Sequence, residues 1–283
     1  MRVAVCGLGR MGAVFAAALV ARGHRVTVWN RTPREVPGAR TAGTAAEAAG
    51  GAAAVVVMVL DGPAARSVLL GPAGVTAGAD RGALVVNATT LDPGTARALA
   101  ERVTAAGQRY LEAPVLGSVP AARQGTLRVL AGGAAEDVRT AEPLLRAWSH
   151  AGALRHVGAV GDASALKLVA NLGLGVAATG LRDAVRLAAD LGLAREDVLE
   201  VLASGPLGGL VGGKRDRLAQ GAYAAADFTV AALAKDLALA TGAAAGSLPV
   251  AEAAARVVGR AAERDGGLDI AALGAAPERA PRA

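Results

Sequence analysis

The chain is poor in cysteine, aromatic residues and lysine, and each shortage is informative. Its single cysteine, Cys6, allows no disulfide within the chain, as is typical of proteins from a reducing cytoplasm. Aromatic residues make up only 2% of the sequence and hydrophobic residues 53%, so the core must consist of alanine, valine and leucine. No uninterrupted apolar run reaches the ~18 residues of a membrane-spanning helix. We therefore expect a cytoplasmic protein with no membrane segment.

The chain is basic, with a formal net charge of +6 and a pI near 10.3. Its arginines are scattered rather than gathered in one stripe, and no segment resembles a nucleic-acid-binding motif. We expect no nucleic-acid partner and no metal site. The charge favours anionic small molecules instead.

Lysine is the rarer basic residue by far. Three of the 30 lysines and arginines are lysine, namely Lys167, Lys214 and Lys235. Lysine can lose its proton near neutrality where its surroundings lower its pKa, and arginine cannot. Each retained lysine is therefore a candidate functional group.

A glycine-rich turn lies close to the N-terminus. A strand-like run at residues 3–6 leads into G-x-G-x-x-G at residues 7–12, and a helix-like run and a second strand-like run follow. This unit of about 30 residues is the context that a dinucleotide site requires. Gly7 permits the tight turn, Gly9 lets a pyrophosphate approach, and Gly12 lets the helix pack against the strand. The helix N-terminus offers N–H groups to the phosphates. We predict cofactor contacts from Gly7, Leu8, Gly9, Arg10, Met11 and Gly12.

The second strand ends in Asn30, Arg31 and Thr32, where NAD-binding chains carry an acidic residue. A carboxylate there would repel a 2′-phosphate, whereas the Arg31 guanidinium can hold it through two parallel hydrogen bonds. We therefore predict that these three residues bind NADP(H) in preference to NAD(H). The alternative is that Arg31 and Arg34 are solvated loop arginines in an arginine-rich chain.

Strand-like and helix-like segments alternate through the first half, which indicates a parallel sheet covered by helices on both faces. Predicted strands lie at residues 54–60, 83–87, 109–111, 127–131 and 154–157, and predicted helices at 44–49, 63–70, 93–106 and 135–148.

Strand signals nearly vanish from residue 161 onward. One long helix is predicted at residues 162–191, apolar almost all round and so buried. Shorter helices follow at 194–203, 214–220, 229–241 and 250–263. We expect an α/β protein with two domains. A Rossmann-type doubly wound sheet spans residues 1–160, and an all-α domain spans 161–283, with a disordered tail from residue 277.

Lys167 and Asn171 are four residues apart, so they share one face of the long helix. An ammonium and an amide on a mostly apolar helix are costly to bury without partners. The helix begins at the expected domain junction, a usual place for a small-molecule cleft. Lys167 would there protonate an alkoxide as hydride reaches its carbon, with its pKa lowered by burial and nearby positive charge. The alternative is a lysine that keeps its tip in water.

Together these segments resemble the β-hydroxyacid dehydrogenase family, which includes 3-hydroxyisobutyrate dehydrogenase and the glyoxylate/succinic semialdehyde reductases. The resemblance spans nearly the whole chain. Beyond the glycine turn and residues 30–32, it rests on Thr89-Thr90 with Pro93, Ala113-Pro114-Val115-Leu116-Gly117-Ser118, Gly125-Thr126-Leu127, Gly132-Gly133, Gly161 with Lys167 and Asn171, and Lys235-Asp236-Leu237-Ala238-Leu239-Ala240 preceded by Phe228.

The resemblance implies that Lys167 is the catalytic proton donor or acceptor and that Asn171 holds the substrate and helps to place the lysine. It implies that residues 116–118 bind the substrate carboxylate. Substrate contacts are accordingly expected from Gly117, Ser118, Thr90 and Lys235.

The resemblance also implies cofactor contacts at the nicotinamide end from Thr90, Phe228, Lys235 and Asp236, with the Lys-Asp pair closing over that end of the cleft. Family members commonly dimerise or tetramerise through the helical domain, so we expect a homodimer or a homotetramer.

Leu116 departs from the family pattern, because the family has serine there and glycine where this chain has Ser118. Leucine cannot donate a hydrogen bond, so carboxylate binding falls to Ser118, the 117–118 backbone and nearby arginines. Either the pocket takes a bulkier or less polar acid, or a substrate that is not a simple hydroxy acid, or Ser118 merely moves the hydroxyl.

The predicted function is that of an NADP-dependent oxidoreductase. It would transfer hydride between nicotinamide and a small-molecule substrate, either a β-hydroxyacid or its semialdehyde or ketoacid. One alternative is an NADPH-dependent imine reductase, a class that resembles this fold and usually carries another residue where Lys167 stands. A non-catalytic NADP-binding scaffold is the other alternative, but it would not need Lys167, Asn171 and the Lys235-Asp236 pair.

Overall fold

The structure of the chain is a computed structural model that describes residues 1–275. The predicted disordered tail from residue 277 lies outside the described residues. The chain divides into two compact units, Met1–Leu168 and the residues from Val169 onward. The sequence predicts a domain boundary eight residues earlier.

The first unit contains nine strands and seven short or medium helices, and helix α8 begins in it. The strands are β1 (Arg2–Cys6), β2 (Arg25–Trp29), β3 (Arg40–Thr41), β4 (Ala54–Val57), β5 (Leu84–Asn87), β6 (Arg109–Glu112), β7 (Val115–Leu116), β8 (Leu127–Gly132) and β9 (Ser149–Gly158). The helices are α1 (Arg10–Ala21), α2 (Ala45–Ala49), α3 (Gly62–Leu70), α4 (Val75–Gly78), α5 (Pro93–Ala105), α6 (Val119–Arg123), α7 (Ala135–Leu145) and α8 (Asp162–Asp190).

The first six strands form the doubly wound part of the sheet. They lie in the order β3-β2-β1-β4-β5-β6, and every neighbouring pair is parallel. The strand order reverses between β1 and β4, and in such sheets ligands bind outside the carboxyl ends of the strands at this reversal. The fold therefore places the glycine turn, which follows β1, at the usual cofactor position.

The other edge of the sheet is not purely parallel. β8 pairs antiparallel with β6 and β7, and β9 then pairs parallel with β8. The predicted parallel sheet is thus correct for β1 to β6, whereas the short loop at residues 113–114 and helix α6 bring β7 and β8 together as an antiparallel pair.

Two aliphatic cores cover the two faces of the sheet. Successive residues of β1 alternate between them, with Val3 and Val5 in one core and Ala4 and Cys6 in the other. Phe15 on α1 stacks on Trp148, with ring centroids 4.2 Å apart and planes 14° apart. The sequence predicts a helix to residue 148, but α7 ends at Leu145. Burial of the Trp148 ring against Phe15 explains why the chain leaves the helix there.

The second unit is all helical. After most of α8 it contains α9 (Arg195–Ser204), α10 (Gly208–Gln220), α11 (Val230–Gly242), α12 (Pro249–Asp265) and a 3-10 helix (Ile270–Gly274). One core joins Ala178 of α8 to α11 and α12, and a second joins Leu181 and Val185 of α8 to α9 and α10.

Helix α8 is less buried than the sequence predicts. Its buried residues recur every three or four positions, as at Ala178, Leu181 and Val185, so it packs along one stripe. Val169 and Leu187 remain 68% and 59% exposed. Among residues 1–275, α8 is the one helix whose length and hydropathy match a membrane span, although its buried stripe packs as in a globular core.

Candidate active site

In the glycine turn, two of the three glycines leave no room for a side chain, and the third does. A Cβ on Gly7, whose φ is +98°, would lie 2.3 Å from the Met58 carbonyl oxygen, and one on Gly12 would lie 1.9 Å from that of Gly7. The fold itself therefore requires these two glycines. Gly9 has an ordinary φ of −64°, and a Cβ there would meet nothing within 4 Å. The protein leaves the space above Gly9 open, and no side chain caps the N-terminus of α1 beside it.

Asn30 and Arg34 hold the backbone of the glycine turn. The Leu8 N–H donates to Asn30 Oδ1 at 2.8 Å, and Arg34 donates to the Leu8 carbonyl oxygen at 2.7 Å. Asn30 Nδ2 also donates to the Thr32 carbonyl oxygen at 2.7 Å. Arg34 is therefore not a merely solvated loop arginine. Arg31 is exposed at the carboxyl end of β2.

The predicted threonine site follows β5. Thr89 faces inward, where its hydroxyl accepts from the Val59 N–H at 3.2 Å and its own N–H donates to Asn87 Oδ1 at 3.1 Å. Asn87 in turn donates to the Tyr110 hydroxyl, whose pKa is raised by burial. These bonds fix the strand end and leave Thr90, the predicted contact, half-buried.

The predicted carboxylate-binding segment forms β7 and the start of α6. Gly117 adopts a φ of +120°, a conformation that favours glycine. Ser118 is the N-cap residue of α6, but its hydroxyl accepts no capping hydrogen bond. Leu116 and Ser118 are both half-buried. The hydroxyl of Ser118 is therefore not committed to the helix that it precedes.

Lys167 and Asn171 both lie on α8 and are both buried. Asn171 Nδ2 donates to Asp236 Oδ2 on α11 at 2.5 Å, and Lys235 Nζ contacts the other oxygen, Oδ1, at 2.5 Å. Asp236 is only 2% exposed. The second unit thus joins three predicted residues, Asn171, Lys235 and Asp236, in one hydrogen-bonded chain.

Phe228 precedes α11 and is fixed through its backbone. Its N–H and that of Asp227 both donate to Oδ2 of the buried Asp269, at 3.3 and 2.9 Å. Lys214 Nζ donates to the same oxygen at 2.8 Å. One of the three lysines is therefore an ion-pair partner of Asp269.

Two acidic residues that the sequence did not single out hold the backbone around the predicted site residues. Asp269 fixes the loop of Phe228, and Glu112 accepts hydrogen bonds from the start of α8. Glu112 immediately precedes the segment at 113–118 on which the family resemblance rests, so its place in the chain was the available signal. Asp269 offered no comparable signal.

A separate cavity of about 630 Å³ lies in the second unit and is lined by Arg217, Gln220, Tyr223 and neighbouring residues. It contains none of the predicted site residues.

Comparisons with known proteins show the family to which the chain belongs. The family described as the NAD binding domain of 6-phosphogluconate dehydrogenase matches residues 2–161. A 3-hydroxyisobutyrate dehydrogenase of Pseudomonas aeruginosa is 35% identical over 205 residues, which cover 71% of this chain and 68% of that protein. The chain belongs to the β-hydroxyacid dehydrogenase family. This is a family of NAD(P)-dependent dehydrogenases that act on small hydroxyacids, and the first unit is its NAD(P)-binding domain.

Other relatives are more varied. The cytokine-like nuclear factor N-PAC of Mus musculus is 32% identical over 240 residues, which cover 84% of this chain but 43% of N-PAC. The chain thus spans less than half the length of that relative.

Among solved structures, the Mycobacterium tuberculosis 3-hydroxyisobutyrate dehydrogenase with L-serine is 27% identical with a TM-score of 0.81, covering 96% of this chain and 97% of that one. The imine reductase from Myxococcus stipitatus in complex with NADP⁺ is 26% identical with a TM-score of 0.65, covering 96% and 98%.

Proposed function

We propose that this protein is an NADP(H)-dependent oxidoreductase for a small β-hydroxyacid or its semialdehyde or ketoacid. The observation that best supports this function is a pair of buried polar side chains on α8, Lys167 and the hydrogen-bonded Asn171. A protein that only bound a nucleotide would need the glycine turn but not this pair. When bound, the nicotinamide supplies the hydride donor or acceptor.

The residues of the chain would then position the substrate and move its proton. In the reductive direction Lys167 Nζ gives a proton to the alkoxide oxygen, and in the oxidative direction neutral Nζ takes the proton of the hydroxyl. The amide of Asn171 would hold the substrate oxygen near that amine. Ser118 and the backbone of Gly117 would bind the carboxylate, with Thr90 and Lys235 as further substrate contacts.

The proposed NADP(H) preference rests on Arg31. No ion pair engages its guanidinium within the described residues, and it lies beside Asn30, which holds the glycine turn. Arg31→Ala should weaken NADPH binding at least tenfold while changing NADH binding little, because a charged hydrogen-bond pair to phosphate is lost. The matched control is Arg25→Ala at the opposite end of β2. Equal losses for both cofactors would contradict the preference.

A homodimer or homotetramer is proposed on the exposed apolar residues of α8. Val169 and Leu187 lie on the helix surface, and Leu191 follows just beyond its end at 65% exposure. Large apolar residues exposed on one helix are typical of a surface that a second copy covers. Light scattering of the purified chain gives the mass directly, and Leu187→Glu should shift it toward the monomer.

Imine reduction is a second candidate because Leu116 removes a polar contact and an imine reductase has a similar fold. Lys167 favours the hydroxyacid reaction, since a protonated amine suits an alkoxide.

One panel of assays separates the candidates. It comprises 3-hydroxyacids with NADP⁺, and semialdehydes, glyoxylate and cyclic imines with NADPH. We expect turnover of a hydroxyacid or semialdehyde and a loss of about 10²–10⁴ in kcat for Lys167→Ala. Turnover of cyclic imines alone would favour the imine reductase. Tight NADPH binding with no turnover across the panel would favour a scaffold.

A further inference from the structure

Glu112 is a buried carboxylate on the last residue of β6 and is only 2% exposed. Its Oε1 accepts hydrogen bonds from the backbone N–H groups of Gly161 at 2.7 Å and Ala163 at 2.9 Å. Its Oε2 accepts one from the Ser164 hydroxyl at 2.5 Å. Ser164 is itself only 1% exposed. All three donors lie at the start of α8.

This arrangement differs from ordinary helix capping, in which the residue before the helix supplies the acceptor. The nearest local carboxylate, Asp162, instead accepts from the Ala159 N–H at 2.9 Å. The acceptor for the first turn of α8 comes from β6, which is 49 to 52 residues earlier in the chain. Glu112 therefore ties the start of α8 directly to the central sheet.

The surrounding backbone leaves room for this contact. A Cβ on Gly132 would lie 2.3 Å from Glu112 Oε1, so this position on β8 must be glycine. Gly161 has a φ of +104°, and a Cβ there would lie 2.7 Å from the Arg97 guanidinium. A side chain at position 132 would displace the carboxylate, and one at position 161 would strain the backbone of the turn that the carboxylate binds.

Lys167 lies three residues after Ser164, so the two side chains are neighbours on one side of α8. Because a helix is rigid, the position of its first turn determines the position of its second turn. Functional side chains must be held to within about 0.5 Å of their productive geometry. We propose that Glu112 is a positioning residue for Lys167, and that its carboxylate fixes where the Lys167 amine lies by holding the first turn of α8.

The proposal depends on the proposed function only for the role of Lys167 in proton transfer. The position of the amine can be measured without any substrate. Because the chain has three lysines, brief labelling with an amine reagent followed by peptide mass spectrometry reports each one separately. Lys214 and Lys235 then serve as references within the same sample.

Two variants and one control make the test. Glu112→Gln keeps the shape but removes the charge, and Ser164→Ala removes one donor should the glutamine variant fail to fold. Asp137→Asn is the control, because Asp137 is also a buried carboxylate at the start of a helix in the first unit, where it pairs with Arg109.

We expect Glu112→Gln and Ser164→Ala to change the labelling of Lys167 relative to Lys214 and Lys235 by roughly fivefold, the equivalent of one hydrogen bond. With a substrate that the wild type turns over, kcat of the two variants should fall by a similar factor, while their dissociation constant for NADPH stays unchanged. Asp137→Asn should leave the labelling ratio as in the wild type.

An unchanged ratio in both variants would overturn the proposal, as would an equal change in Asp137→Asn. The outcomes for the two proposals remain distinct. A wild type that turns over nothing contradicts the proposed function, whereas the labelling ratio still decides the role of Glu112.

Discussion

The side-chain amide of Asn171 donates a hydrogen bond to Oδ2 of Asp236, and the distance between the two atoms is 2.5 Å. An ionised carboxylate only accepts hydrogen bonds, so the atom of Asn171 that faces it must be Nδ2. Oδ1 of the same amide therefore points elsewhere. Asp236 thus sets which end of the Asn171 amide is available as an acceptor on the face of α8 that also carries Lys167.

Replacing Asp236 with asparagine should lower kcat/KM. The variant keeps one acceptor, for which Asn171 and Lys235 must compete, and it loses the charge that strengthens both bonds. A hydrogen bond to a charged group contributes about 1.5–3 kcal/mol, which corresponds to a loss of roughly 10- to 100-fold. Steady-state kinetics with the best substrate from the assay panel measures this loss in kcat/KM.

The matched control is Asp183→Asn, which removes an exposed carboxylate of α8 that pairs with its neighbour Arg182. Surface pairs of this kind contribute little, so kcat/KM should stay within a factor of two or so of the wild type. A full-rate Asp236→Asn enzyme would show that the orientation of the Asn171 amide is not needed.

The two glycines Gly9 and Gly12 should fail in different ways when replaced by alanine. A Cβ on Gly9 meets no protein atom within 4 Å, so Gly9→Ala should keep the wild-type melting temperature. The variant should bind NADPH at least tenfold more weakly, because the methyl group would occupy the space that the pyrophosphate needs. A Cβ on Gly12 would lie 1.9 Å from the Gly7 oxygen, so Gly12→Ala should lower the melting temperature even without cofactor.

Calorimetry gives the melting temperatures, and a titration with NADPH, followed by the quenching of the fluorescence of Trp29 and Trp148, gives the affinity. Gly259→Ala, in the helix α12 and with nothing within 4 Å of its Cβ, is a control for the substitution itself and should be neutral or slightly stabilising. An unchanged NADPH affinity of Gly9→Ala would show that the pyrophosphate does not bind beside Gly9.

Residues 7–12 show what sequence can predict. The glycine spacing, the flanking apolar runs and the strand that follows are local signals, and the doubly wound order of β1 to β6 agrees with them. The contacts of Glu112 with α8, and of Asn171 with Asp236, join residues 49 to 65 positions apart, and no local pattern marks such pairs. The end of α7 was mispredicted because the burial of Trp148 outweighs helix propensity there.

Cys6 should be unreactive while the first unit is folded. It is fully buried at the end of β1, and burial raises the pKa of its thiol to about 12, so almost no thiolate is present at mildly alkaline pH. An aromatic disulfide reagent should therefore react with it only as urea unfolds the chain. An added thiol in Ser204→Cys, at an exposed position on α9, should react at once and serves as the positive control. Rapid reaction of the native wild type would contradict the packing of β1.

Asp269 should make the stability of the Phe228 loop depend on pH. Burial alone raises the pKa of Asp269, but hydrogen bonds from Lys214 and from the N–H groups of Ala271 and Asp227, together with the charge of Lys214, lower it in net below its ordinary value of 3.8. A carboxyl whose pKa is lower in the folded state stabilises that state above the unfolded pKa. This stabilisation is lost as the pH falls below 3.8 through the folded pKa.

Asp269→Asn should accordingly destabilise the loop by about 1–3 kcal/mol at neutral pH, and the difference from the wild type should shrink in acid. Hydrogen exchange of the Asp227 and Phe228 amides, which donate to Asp269, measures the local opening free energy. Asp216→Asn, at an exposed position on α10, controls for the loss of one negative charge and should leave both amides protected. The opening free energy of Asp269→Asn should be lower than that of the wild type at neutral pH. If this difference stays the same down to below pH 3.8, the shape of the side chain, rather than its ionised carboxylate, holds the loop.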